Sequence, residues 1–108
     1  MRMLDIQQAH HSLMLSGLLD SEDLPQLKAA LASLQTTETL HLVMHDLDIE
    51  EGKAMAGITA MLKNLLARQV YVRLDGPPQL VVHNLYRVGY HPHACLQVDG
   101  MREDEAYG

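Results

Sequence analysis

The stretch LHLVMHDLDIEEGKAMAGITAMLKNLLAR, residues 40–68, predicts a strand, an acidic loop and a helix in succession. Leu40 to Met44 form an apolar run of strand length. The loop after it contains four acidic residues, Asp46, Asp48, Glu50 and Glu51. From Lys53 to Arg68, apolar residues recur at helical spacing and form a stripe of Ala54, Ile58, Met61, Leu62 and Leu65. The opposite side of this helix consists of Ala56, Ala60, Lys63 and Ala67. The exposed side of a surface helix normally carries more charged residues than this.

The same criteria predict the elements on either side of this stretch. Strands are expected at residues 3–8, 11–16, 70–74 and 94–98, and helices are expected after residue 23 and over residues 79–88. Asp20–Asp23 (DSED) is a helix-start signal, because its side chains cap free N–H groups and its charges suit the helix dipole. Gly17 is interpreted as a strand breaker. The order predicts an α/β fold with a single small mixed sheet and about three helices packed mainly on one side of it.

Composition restricts the class of protein further. A chain of 108 residues suits one domain, which we place at residues 1–100, followed by an acidic tail at 101–108. The formal net charge of −6 and the lack of any basic run argue against a nucleic-acid partner. No apolar run is long enough for membrane insertion, and a single cysteine, Cys95, forms no internal disulfide. We therefore expect a cytoplasmic protein.

Three segments together resemble the STAS family, the family of the anti-sigma factor antagonists. GLLDSEDLPQLKAAL, residues 17–31, is similar to the family's Gly-x-Leu-Asp followed by x-x-x-x-Pro-x-Leu-x-x-Ala-Leu. Residues 40–62 are similar to its strand ending in Asp-Leu, a loop, and a helix opening with Asp-Ser-Ser-Gly-Leu-Gly-Ala-Leu-Leu. Residues 70–89 match a strand, a Pro-containing turn and a helix ending in Gly. The resemblance covers residues 11–90 and implies a STAS fold that docks a protein partner.

One position departs from the family pattern in a way that concerns regulation. Gly57 aligns with the family's Gly, which places Met55 where the antagonists carry the Ser that a partner kinase phosphorylates. A phosphate brings about two negative charges to a binding surface and can break a docked complex. Met55 has no hydroxyl group to accept one, and Thr59 is the nearest hydroxyl. We therefore expect no phosphoacceptor here.

The helix side with small residues is the candidate partner-binding surface. Small side chains let another backbone approach closely, and a Met adapts to the shape of its partner. The set that we assign to this surface is Met55, Ala56, Thr59, Ala60, Lys63, Asp46 and Asp48. The alternative is a helix buried on both sides, either inside the domain or in a homodimer.

The resemblance implies two kinds of partner. One is a regulator similar to an anti-sigma kinase, and the other is the ATPase of a lipid-transport ABC system, whose small STAS subunits bind it. The missing Ser disfavours a kinase-controlled antagonist and leaves the transporter role, or a constitutive scaffold, open. We expect a non-catalytic protein without a cofactor, since the chain has no nucleophile elbow, phosphate loop or dinucleotide motif.

A divalent-metal protein or metal-dependent enzyme is the rival from another class. The acidic loop offers oxygen ligands, and seven His residues offer nitrogen ligands. No spacing matches an EF-hand, a zinc finger or a helical His-Glu-x-x-His arrangement, so we assign no metal site.

Overall fold

A computed structural model describes residues 3–34 and 39–103 of the chain. Within these residues the elements follow in the predicted order. They are β1 (Asp5–Ala9), β2 (Ser12–Leu19), α1 (Leu24–Ser33), β3 (Leu40–Ile49), α2 (Lys53–Ala67), β4 (Val72–Asp75), α3 (Gln79–Arg87) and β5 (Leu96–Asp99). The α/β class with one mixed sheet and three helices is confirmed. None of the described helices is long and apolar enough to cross a membrane.

The five strands lie side by side in the order of the chain. β1 and β2 are antiparallel, whereas β2, β3, β4 and β5 are parallel. Each parallel connection moves to the next strand in the same direction, and such crossovers share one hand, so all three helices lie on the same face. Alternate strand residues such as Leu13, Leu42 and Leu74 are buried beneath the helices. Their neighbours Met14 and Arg73 point to the other side of the sheet, which we call the open face.

The start of the first helical segment follows the predicted signal. A single 3-10 turn, Ser21–Asp23, precedes α1, and the Asp20 side chain accepts bonds from the backbone N–H groups of Glu22 and Asp23. The Asp23 carboxylate in turn accepts the Asp20 N–H at 3.0 Å, which completes a capping box. Pro25 lies in the first turn of α1, where it sacrifices no helical hydrogen bond.

Gly17 does not break β2, contrary to the expectation from the sequence. The strand runs through it to Leu19, and the glycine has a φ of +86°. A Cβ at this position would lie 2.1 Å from the carbonyl oxygen of Met3. Gly17 is therefore required because the residues just before β1 pass directly over it.

The acidic loop is also shorter than predicted, because β3 continues to Ile49. Asp46 and Asp48 belong to the strand, and the Glu50 N–H donates to the carbonyl of Leu19 as the strand ends. The pairing steps from Met14–Val43 to Ser16–Asp46, so β3 carries one residue more than β2. The extra residue shifts the alternation of inward- and outward-facing side chains along β3 by one position. In the sequence, this shift looks like the end of the strand.

The segment after β5 is bonded to the domain through Arg102. The Arg102 backbone N–H donates to the carbonyl of Pro77 at 2.9 Å, and its guanidinium donates to the carbonyls of Gly76 and Leu47. Residues 104–108 of the predicted acidic tail lie outside the described residues. The domain boundary predicted after residue 100 stays a prediction.

Candidate functional site

Helix α2 presents the small-residue side to solvent. Ala56, Ala60 and Lys63 are exposed and follow one another at intervals of four and three residues, so they share one side of the helix. We call these three residues the α2 surface. The opposite side packs on the sheet and on the neighbouring helices through Ala54, Met55, Ile58, Thr59, Leu62, Leu65 and Leu66.

Met55 and Thr59 do not belong to this exposed surface, which corrects the sequence-based assignment. Met55 retains only 6% of its accessible surface and is part of the hydrophobic core. Thr59 retains 8%, and its hydroxyl donates to the carbonyl of Met55 at 2.8 Å. α2 contacts both α1 and α3 while it covers the sheet, so it buries a wider stripe than a helix at the edge of a layer does.

Asp46 and Asp48 lie apart from the α2 surface. Both are exposed, and the residue between them, Leu47, is fully buried beneath the helices. Successive strand residues point to opposite faces, so the two carboxylates project from the open face. The seven predicted surface residues are therefore divided between the helix layer, the core and the open face.

The start of α2 has an unusual cap. Gly52 is the N-cap residue with a φ of +86°, and no side chain caps the helix there. The first turn contains Lys53 and no acid, so no carboxylate of the helix itself offsets the positive end of the dipole. From residue 40 to residue 58 the chain contains no Ser, Thr or Tyr. The hydroxyl of Thr59, one turn further on, is buried and engaged.

A groove of about 400 Å³ lies between α1 and α2, and sequence reasoning did not find it. Its lining combines apolar side chains with two cations and consists of Lys28, Leu31, Ala32, Ala60, Met61, Asn64, Leu65 and Arg68. The two helices approach closely at their N-terminal ends, where a Cβ on Gly57 would lie 2.5 Å from Leu24 Cδ1. We call this feature the α1–α2 groove. It adjoins the α2 surface at Ala60.

The open face carries a cluster of two histidines around one carboxylate. The Nε2 atoms of His41 and His45 lie 3.3 Å and 2.9 Å from the two carboxylate oxygens of Asp75. Beside this cluster, the Arg73 guanidinium donates to Asp99 at 2.8 Å. In the part of the chain that the structure describes, no group of three or more His, Cys, Asp or Glu side chains, this cluster included, is arranged so that it could hold a metal ion.

Comparison with known proteins identifies the architecture. No family model and no curated protein matches the chain by sequence. Among solved structures, the phosphorylated form of the Bacillus cell fate determinant SpoIIAA matches with a TM-score of 0.60 and 15% identity, over 97% of this chain and 96% of that one. This chain has the STAS fold. The unphosphorylated form of SpoIIAA, an anti-sigma factor antagonist, matches with a TM-score of 0.56 and 13% identity, over 97% and 93% of the two chains. The fold predicted from the sequence resemblance is confirmed over almost the whole chain.

Proposed function

We propose that this chain is a non-catalytic, regulatory protein-binding domain that docks its partner through the α2 surface. The supporting observation is that a STAS fold covering almost the whole chain exposes Ala56, Ala60 and Lys63 on α2, the helix whose start the sequence resemblance implicates in partner docking. Side chains no larger than a methyl group at positions 56 and 60 let a partner backbone come close to α2. Lys63 places a positive charge at the border of this patch.

Docking is not regulated by phosphorylation of α2, because this helix offers no accessible hydroxyl to a kinase. By the sequence resemblance, Met55 aligns with the family's phosphorylated Ser, and its side chain lies in the core. The only Ser or Thr of α2 is Thr59, whose hydroxyl is bound to a backbone carbonyl. A phosphate would otherwise add about two negative charges at the helix start and repel a docked partner. The partner is thus held without that switch.

A partner must cover more than the α2 surface. A stable protein interface buries roughly 800 Å² on each side, which three side chains of this size do not provide. Additional contacts must therefore come from neighbouring elements, and the helix layer is the side on which α2 is accessible. The exposed carboxylates of Asp46 and Asp48 lie on the open face and are peripheral to this interface.

Arginine substitutions on the α2 surface test the proposal. Ala56→Arg and Ala60→Arg place a long charged side chain where we expect contact, whereas Ala94→Arg makes the same change at an exposed position before β5. Each tagged variant is expressed in the native cell, and co-purifying proteins are quantified by mass spectrometry. We expect a partner that is recovered with the wild type and with Ala94→Arg but is lost with the other two.

Circular dichroism of each purified variant must show a folded domain for the comparison to hold. Equal recovery of every co-purifying protein with all three variants would contradict the assignment of the surface. The identity of the partner separates the two regulatory settings. A protein similar to an anti-sigma kinase indicates signalling, and an ABC ATPase indicates a transport accessory role.

A further inference from the structure

Helices α1 and α2 contain cations but no acids, whereas acidic residues precede each helix, at positions 22 and 23 and at positions 50 and 51. The formal net charge is −6, yet α1 (Leu24–Ser33) and α2 (Lys53–Ala67) contain no Asp and no Glu. Four of the eight Lys and Arg residues lie in these helices or directly after α2, at positions 28, 53, 63 and 68. Those acids lie at the N-terminal ends of the two helices, so beyond the first turn the charged side chains of α1 and α2 are all positive.

The α1–α2 groove concentrates this charge beside apolar surface. Lys28 of α1 and Arg68 at the end of α2 both line it, and its remaining lining includes Leu31, Met61 and Leu65. Among the residues that the structure describes, none of those lining the groove carries a carboxylate. Leu31 and Met61 are half-buried and remain partly accessible beside the small residues Ala32 and Ala60, whereas Leu65 is buried at the base of the groove. The groove therefore offers apolar contact and positive charge together.

These two cations differ from Arg73 in β4 and Arg102 after β5, which are engaged within the domain. Arg73 is paired with Asp99, and Arg102 is bonded to backbone carbonyls. Within residues 3–34 and 39–103, neither Lys28 nor Arg68 forms an ion pair with a carboxylate. With respect to the described residues, their charges are available to an outside ligand without the loss of an ion pair.

We propose that the α1–α2 groove binds an acidic amphipathic helix of the protein partner. Helices pack into the groove between two other helices at interaxial distances of 8–10 Å, with apolar side chains at i, i+3, i+4 and i+7 as anchors. Glu or Asp residues flanking that stripe meet Lys28 on one side and Arg68 on the other. This inference rests on the proposed function, since it names the additional contact that the α2 surface requires.

Designed peptides test the chemistry without knowledge of the natural partner. The probe is a fluorescein-labelled helical peptide of about 18 residues, roughly 27 Å long, with a Leu and Ala stripe flanked by Glu. Its matched control has Lys at every Glu position, and a second control has the Glu peptide's composition in scrambled order. We expect fluorescence anisotropy to show binding of the Glu peptide about tenfold or more tighter than either control, a difference of about 1.4 kcal/mol.

Charge reversal locates the binding site. Lys28→Glu and Arg68→Glu are each expected to weaken binding of the Glu peptide by a factor of about 2 to 5, as the loss of one exposed charge pair predicts. The double variant is expected to prefer the Lys peptide. Arg87→Glu changes the net charge equally but lies on α3, and it is expected to leave the preference unchanged.

Several results would overturn the groove assignment. They are equal binding of the Glu and Lys peptides, no binding of either, and an unchanged preference in the double variant. Binding of vesicles of anionic phosphatidylglycerol with the same dependence on residues 28 and 68 would identify a lipid surface instead. A dimer in analytical ultracentrifugation that the double variant abolishes would identify a second copy of the chain as the occupant.

Failure of this inference is distinguishable from failure of the proposed function. If Ala56→Arg loses the native partner while the double reversal retains it, the α2 surface stands and the groove does not. If neither change affects recovery of any protein, the proposed docking function itself is wrong.

Discussion

Adjacent substitutions in the first turn of α2 distinguish its buried side from its docking side. Met55→Asp and Ala56→Asp add the same charge one residue apart on the same helix. Met55 is 6% exposed and lies in the core, whereas Ala56 is exposed on the α2 surface. We expect Met55→Asp to unfold or severely destabilise the domain and Ala56→Asp to leave it folded.

The magnitudes follow from the two environments. Removing the Met55 side chain from the core costs about 2–5 kcal/mol of unfolding free energy. A buried carboxylate without a partner adds a further cost of a few kcal/mol, since it must be desolvated or protonated. A total of at least about 4 kcal/mol lowers Tm by about 16 °C or more for a domain of this size. Native domains are stable by only about 5–15 kcal/mol, so this is a large part of the total.

Ala56→Asp is expected to change the unfolding free energy by less than about 0.5 kcal/mol. Aspartate is a poorer helix former than alanine by roughly 0.5–0.7 kcal/mol. A negative charge in the first turn gains about 0.3–1 kcal/mol from the helix dipole, and α2 has no acid there. The two effects nearly cancel.

Thermal unfolding followed by far-ultraviolet circular dichroism is the appropriate assay, because the chain contains no Trp for fluorescence. The wild type and both variants are compared at the same protein concentration and buffer. If Met55→Asp melted within a few degrees of the wild type, the burial of Met55 would be wrong. The side chain would then return to the candidate docking surface.

Two further predictions concern the close approach of Met3 to Gly17 and the lack of a phosphorylation site in α2. Gly17→Ala is expected to cost about 2 kcal/mol or more, because its Cβ would meet the Met3 carbonyl oxygen at 2.1 Å in a strained left-handed conformation. Amide hydrogen exchange of the variant is compared with that of the wild type, and we expect the increase in exchange rate to be larger in β1 than in β4. Unchanged protection of β1 would contradict this account. Mass spectrometry of the protein purified from its native cell is expected to find no phosphate on peptides spanning residues 40–67. A phosphate on Thr59 there would refute constitutive docking.

The sequence placed the strand and helix order correctly but misplaced two strand ends for identifiable reasons. Gly17 has a positive φ within a strand, and it is needed because another part of the chain crosses above it. A reader of the sequence sees only the glycine and not the crossing backbone. The bulge in β3 shifted the alternation by one residue, so Asp46 and Asp48 appeared to leave the strand.

The candidate surface was predictable only in part. The small residues at 56 and 60 and Lys63 could be placed on one exposed side, because helical spacing alone defines it. Periodicity does not define how wide the buried stripe is, and this width decides whether Met55 and Thr59 are accessible. The width depends on how many neighbouring helices touch α2, which is a property of the packed layer.

The sequence by itself determined the order of the elements and the class of the sheet. It also shows that α1 and α2 contain no acid and that no Ser, Thr or Tyr occurs from residue 40 to residue 58. The tertiary structure alone decided that Met55 is buried, that Asp46 and Asp48 lie on the open face, and that Lys28 and Arg68 line one groove. The physical reason is that periodicity and capping act within a few residues of chain. Burial and the meeting of distant charges depend on which surfaces the packed helices cover, and no local pattern records that.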